Sequence, residues 1–169
     1  MTDSKLPATP DWERRLSALL PLYGHRNWVV IADAAYPAQS KPGIETIVAD
    51  ADQMEVVRIV LDAITASRHI RPNVYADKEL GFVAEKDAPG VTDYRQQLHA
   101  AFSSACITYL PHEQIIARLD KSAEVFRVLI IKTEMTIPYT SVFFELDCGY
   151  WNAEAEQRLR QATLVADLK

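Results

Sequence analysis

The feature that most constrains this chain is a pair of short, wholly apolar runs: Trp28-Val29-Val30-Ile31-Ala32, and Val128-Leu129-Ile130-Ile131 within the stretch Phe126 to Lys132. A strand with one wet face alternates polar and apolar residues. A run that is apolar at every position reads as a strand covered on both faces. Such strands need helices above and below them, so a sheet between two helical layers is the expected architecture.

The remaining periodicity fits that frame. Trp12, Leu16, Leu19 and Leu20 share one helical face, with Asp11 as the expected N-cap and Gly24 as the stop. Residues 34–43 carry two prolines and Gly43 and read as a loop. Ile44 to Val48 reads as a short strand. Met54, Val57, Leu61 and Ile64 predict a helix over 51–67. The stretch 70–92 mixes Pro72, Gly81, Pro89 and Gly90 with charges and reads as a helix or turn insertion. Asp93 to Ser104 reads as helix and Cys106 to Leu110 as strand. His112 to Lys121 reads as a helix entered through Pro111. Ser141 to Leu146 predicts a further strand, and residues 152–162 a closing helix. Strands alternating with helices predict an α/β fold, a three-layer α/β/α arrangement with a mostly parallel central sheet.

At 169 residues the chain suits a single domain over 11–169, behind a polar tail at 1–10 that is expected to be disordered. The net charge of −5 argues against nucleic acid as a partner, because phosphate binding needs a basic face. No apolar run approaches the ~20 residues of a membrane span. The polar start lacks the apolar core of a signal peptide, so the cytoplasm is the expected location. Cys106 and Cys148 sit in apolar surroundings and read as reduced, partly buried thiols.

In open α/β sheets, ligands bind beyond the carboxyl ends of the strands. Asp33 follows the first apolar strand, His112 lies two residues after the strand 106–110, and Glu134 and Tyr139 follow the strand 126–132. His25 precedes the first strand, so it meets these residues only if another element or a second subunit brings them together. Each residue also has a plainer reading. His25 could be a solvated helix-end cation, Asp33 a turn cap, His112 an idle first-turn residue, and Tyr139 ordinary packing. His69 and His99 read as structural, as do Glu45, Asp50 and Asp52. The chain holds no GxGxxG or phosphate loop, no GxSxG elbow, no HExxH and no paired CxxC. No metal and no cofactor is therefore expected.

Three blocks carry a family resemblance. The run from Gly24-His25 through the apolar strand to Asp33-Ala34-Ala35-Tyr36-Pro37, with eight residues from His to Asp, resembles a signature of the RbsD/FucU family of sugar pyranases and mutarotases. Tyr109-Leu110-Pro111-His112-Glu113-Gln114 is similar to that family's strand followed by H-E-Q. Ile131-Lys132-Thr133-Glu134 and Pro138-Tyr139-Thr140-Ser141 are similar to its closing strand and P-Y-x-N element. The sequence departs from the pattern at Ser141, where the family has Asn, and at Thr133, where it has Gly.

The resemblance implies an RbsD-like fold and a cofactor-independent isomerase that interconverts anomers or ring forms of a monosaccharide such as fucose or ribose. It implies His25 as the general acid, with Asp33, His112, Tyr139 and Ser141 binding the sugar. It also implies a homo-oligomeric ring, such as a decamer, with pockets at subunit interfaces. A non-catalytic monosaccharide-binding or transport-accessory protein is the main alternative, favoured by Ser141. A different isomerase or lyase, or a scaffold with a vestigial pocket, are the others.

Overall fold

The computed structural model describes residues 9–102 and 106–166. Its centre is a six-stranded sheet of β1 (Trp28–Ala32), β2 (Ile44–Val48), β3 (Ile70–Asp77), β4 (Ile107–Leu110), β5 (Val128–Lys132) and β6 (Val142–Cys148), in the order β2-β5-β1-β6-β3-β4. All neighbouring strands run parallel except β6, which is antiparallel to both β1 and β3. The helices are α1 (Asp11–Leu19), α2 (Gln53–Ala66), α3 (Val91–Ala101), α4 (His112–Ser122) and α5 (Ala153–Ala166).

The two apolar runs lie side by side, Trp28 to Ala32 opposite Val128 to Lys132, and every residue of β1 is buried. Their alternate residues enter two cores. Val29, Ile31, Leu129 and Ile131 pack under α1, α2 and α3. Trp28, Val30, Val128 and Ile130 pack on the other face with Ile115 and Leu119 of α4. The expected three layers are thus present. Nothing in the sequence pattern is wasted: a strand pleat sends neighbouring side chains to opposite faces, and both faces here are covered.

Three local expectations are corrected. Residues 70–77 form an eight-residue strand rather than a helix or turn insertion. Pro72 hid it, since proline cannot donate to a ladder. It is tolerated because β4 pairs only with Val74 to Asp77, so at Pro72 the strand is bonded on one side alone, to β6. A short 3-10 helix, Lys78–Phe82, follows. Asp11 is not the N-cap of α1; Pro10 holds that position and Asp11 pairs with Arg14 inside the first turn. Cys106 is exposed rather than partly buried, although both cysteines are free thiols as expected. The expected tail falls mostly outside the described residues.

One buried amide ties the helical layer to the strand ends. Asp52 caps α2 by accepting from the backbone N–H groups of Met54 and Glu55 at 2.9 and 3.2 Å, which points the first helical residue, Gln53, into the core. Gln53 Nε2 donates to the carbonyl of Thr140 at 2.8 Å, and its Oε1 accepts from Thr133 Oγ1. Thr133 Oγ1 also lies within 3.1 Å of the Ala32 carbonyl. The same Thr140 carbonyl takes a second bond, at 2.6 Å, from the buried hydroxyl of Tyr94. Gln53 therefore joins the ends of β1 and β5 to the turn that leads into β6. Gln53→Leu, close in volume but unable to hydrogen-bond, is expected to cost about 1–3 kcal/mol in urea unfolding, because it strips partners from buried polar groups.

Candidate active site

The sheet register decides which residues meet. Val142, at the start of β6, lies opposite Ile31 on one side and Ala76 on the other. The carboxyl ends of β1, β3, β4 and β5 and the amino end of β6 therefore share one edge. Along it, Asp33, Asp77, His112, Tyr139 and Ser141 line a cavity of about 350 Å3 together with Tyr36. Four of the five residues expected in a site are thus brought together. Glu134, also at a strand end, is exposed and does not line this cavity.

Each wall residue has an identifiable reason for its place. Asp33 Oδ1 accepts the backbone N–H of Ala35 at 2.9 Å, so the turn-capping reading is correct for that oxygen. Ser141 is 2% exposed and is set by the anchored Thr140 before it. Tyr139 adopts φ of +60°, unusual for a bulky side chain. Backbone held in such a region concentrates at functional sites, where surrounding structure has to enforce it. Here Pro138 and the buried Thr140 flank it, and the ring stands edge-on to His112 with centroids 5.8 Å apart. His112 begins α4, and its backbone N–H is capped by the Glu79 carboxylate at 3.0 and 3.1 Å.

Asp77 is the residue that sequence reasoning missed. It ends β3, is 1% exposed, and its Oδ1 accepts from His112 Nδ1 at 3.0 Å. Burial pushes its carboxyl up to about 6, only partly offset by His112 and reinforced by Glu79 and Asp33. Burial, with Asp120, Asp77 and Asp33 nearby, likewise pushes the Tyr36 hydroxyl up to about 12, so it stays neutral and able to donate. The missed signal was Val74-Tyr75-Ala76, a short apolar run ending in an acid, masked by Pro72.

His25 lies elsewhere. It precedes β1, while Asp33 follows it, and the step of eight positions from one to the other spans up to roughly 26 Å of extended chain. His25 sits at the opposite sheet edge in a cavity of about 580 Å3, with Arg26, Arg71, Asp147 and Trp151. Its Nδ1 donates to Asp147 Oδ1 at 2.9 Å, and its Nε2 accepts from Arg26 Nε at 3.2 Å. Arg71 grips the other oxygen of Asp147 at 2.7 and 3.2 Å. Burial opposes ionisation of Asp147, but Arg71, the Cys148 N–H and His25 outweigh it and hold the carboxyl below its usual range. His69, read as structural, is so: its Nε2 bonds the carbonyls of Leu20 and Tyr23. Among the described residues, no cluster of three or more His, Cys, Asp or Glu could hold a metal ion, and no helix is long and apolar enough to cross a membrane.

The fold and the edge cavity define an α/β protein with a small strand-end pocket in which carboxylates, a histidine and tyrosines meet on a largely apolar wall. The chain belongs to the RbsD / FucU transport protein family, whose model matches residues 9–148. Solved structures of the same fold include Bacillus subtilis RbsD complexed with D-ribose, 19% identical, with a TM-score of 0.56 over 85% of this chain and 96% of that one. Another is the fucose mutarotase of Streptococcus pneumoniae in complex with L-fucose, 20% identical, with a TM-score of 0.51 over 82% of this chain and 92% of that one. FucU from Bifidobacterium longum, 17% identical, matches with a TM-score of 0.53 over 79% and 92%. No curated protein sequence is significantly similar to the chain.

The raised carboxyl of Asp77 has a measurable consequence. Between pH about 4 and 6 the folded chain keeps a proton on Asp77 that the unfolded chain has lost. Stability from this group therefore falls as pH rises through that window, by on the order of 2 kcal/mol. Asp77→Asn is expected to lack that slope. Unfolding free energies of both proteins at pH 4 and pH 7.5 would check it, with the variant gaining on the wild type at the higher pH.

Proposed function

We propose that this protein interconverts anomers or ring forms of a monosaccharide by acid–base catalysis without a cofactor. The observation that carries the reading is the convergence of Asp33, His112, Tyr139 and Ser141 on one cavity at the strand-end edge. Relatives of the same fold are described with D-ribose and with L-fucose bound, which supports a neutral monosaccharide as ligand. The reaction needs one proton delivered to the ring oxygen and one removed from the anomeric hydroxyl. Imidazole can do either near neutral pH. Asp33 binds sugar hydroxyls through charge-assisted bonds, and Tyr139 offers a hydroxyl and an apolar ring face.

His25 is the general acid, and it acts in the pocket of a second copy of the chain. A contact that sets the His25 edge of one copy against the Asp33 edge of the next uses two different patches, and repeated heterologous contacts form a ring when the rotation between copies closes. Charge favours this pairing: at one edge Arg26, Arg71 and Arg160 outnumber Asp147 and Glu156, and at the other lie Asp33 and Asp77. A ring such as a decamer is the assembly in view.

A second reading, a monosaccharide-binding protein without turnover, is favoured by Ser141, whose short hydroxyl offers fewer donors than an amide. Exchange NMR on a panel of reducing sugars separates the two. The proposed enzyme is expected to speed anomer exchange of at least one sugar, and His25→Ala to lower that rate by ~10²–10⁴-fold. Saturation transfer to a sugar with no faster exchange would establish the binding protein instead. For the shared pocket, an unfolded and co-refolded mixture of His25→Ala and Asp33→Asn chains is expected to regain activity that neither has alone, up to about a quarter of the wild-type level from random pairing. No recovery, or light scattering at the monomer mass of 19.0 kDa, would sink the composite site.

A further inference from the structure

Asp77 is an expensive residue to bury, and nothing in the packing requires it. Its Oδ1 is held by His112 Nδ1, and its Oδ2 is buried with no hydrogen-bond partner among the described residues. A buried carboxylate with an orphaned oxygen destabilises a fold, and an apolar residue of similar size would serve β3 better. The groups that face it come from every element around the cavity floor. His112 comes from α4, Glu79 from the 3-10 helix, Asp33 from the end of β1, and Tyr36 from the following loop. Of these, His112 alone carries a donor within hydrogen-bond distance of the carboxylate.

An ionised carboxylate can only accept, so this contact assigns the neutral imidazole's proton to Nδ1. Nε2 is then left bare. The ring is kept in place by the Glu79 cap on its own backbone N–H and by the Tyr139 ring against its side. Because Oδ2 is committed to nothing else, the negative charge of Asp77 is not shared with another donor. Its full attraction is available to a proton arriving on the imidazole.

We propose that Asp77 is a positioning residue that holds His112 in the Nδ1-protonated form, making His112 the general base of this pocket. The inference rests on the mutarotase reading above and adds the second half of its proton inventory. Nε2 of His112 takes the proton of the anomeric hydroxyl. The O–H electron pair becomes the second bond of the new carbonyl. The bond from the anomeric carbon to the ring oxygen breaks, and its electron pair stays on the ring oxygen. That oxygen takes a proton from Nε2 of His25 of the second copy, which delivers it as an imidazolium with Nδ1 on Asp147 and its contact with Arg26 released. Nothing is oxidised or reduced. After rotation about the bond to the carbonyl carbon, closure on the other face returns both protons. During the open-chain interval His112 is cationic, and Asp77 sits beside the charge it has to stabilise.

The test is long-range 1H–15N NMR of histidine-labelled protein at pH 7.5, with His112→Asn used to assign the signal. In the sugar-free wild type, His112 is expected to carry its proton on Nδ1 and to leave Nε2 unprotonated. Asp77→Asn is expected to lose that preference and to slow anomer exchange at least ~10-fold, while saturation transfer still reports sugar binding. A proton on Nε2 in the wild type would overturn the inference, whether or not any variant folds. An unchanged tautomer in Asp77→Asn with exchange within twofold of wild type would also overturn it. So would equal loss of binding and exchange with the tautomer unchanged, the mark of a purely structural role. Because the tautomer is read without sugar, a protein that accelerates no sugar at all would refute the function while leaving the Asp77–His112 pairing decided on its own evidence.

Discussion

The candidate site depends on one buried side chain, Gln53. Its amide joins the Thr140 carbonyl to the Thr133 hydroxyl, and through Thr133 to the end of β1. Loops at strand ends have no ladder to hold them, so their positions must come from side chains. Here the amide nitrogen and oxygen are both used, and Tyr94 from α3 reinforces the same carbonyl. With Thr140 fixed, its neighbours Tyr139 and Ser141 have little freedom. That is the condition under which a bulky residue can be kept at a positive φ. Thr133, at a position where the resembled family has glycine, is a working member of this network.

The second constraint is the direction of β6. In a sheet that is otherwise parallel, a reversed strand starts at the edge where its neighbours end. Its amino end brings Ser141 to Asp33 and Asp77, and its carboxyl end carries Asp147 to His25. The result is an Asp–His pair at each edge: one with a buried acid beneath a partly exposed imidazole, Asp77 with His112, and one with both members more exposed, Asp147 with His25. The surroundings of the two pairs differ. Arg71 neutralises Asp147, whereas among the described residues Asp77 pairs with the imidazole of His112 and with no Lys or Arg. Beyond β6, where the family match ends, α5 stands largely exposed and helps wall the His25 cavity through Glu156 and Arg160.

The legible parts of the sequence were those with a strong local cause. Continuous apolar runs marked β1 and β5, and helical spacing marked α1 and α2, because periodicity follows directly from the geometry of each element. Asp33 and His112 were legible as site residues since each lies within two residues of the end of a recognisable strand. Where local signals conflicted, the reading failed. Pro72 argued against a strand and was overruled by pairing with β6, a contact between residues far apart in the chain. With β3 unread, Asp77 at its end could not be recognised either.

The sequence by itself determined the layered α/β architecture and three residues of the cavity, Asp33, His112 and Tyr139, because burial on two faces and strand-end position are written in short stretches of chain; the motif resemblance supplied the family and Ser141. Only the tertiary structure decided that β6 runs against its neighbours, that Asp77 lies under His112, and that Gln53 locks the turn before Ser141. It also decided that His25 and Asp33 occupy opposite edges of the same sheet. These are relations between segments, set by strand order, register and the need to satisfy buried polar groups, and no local pattern of residues encodes them.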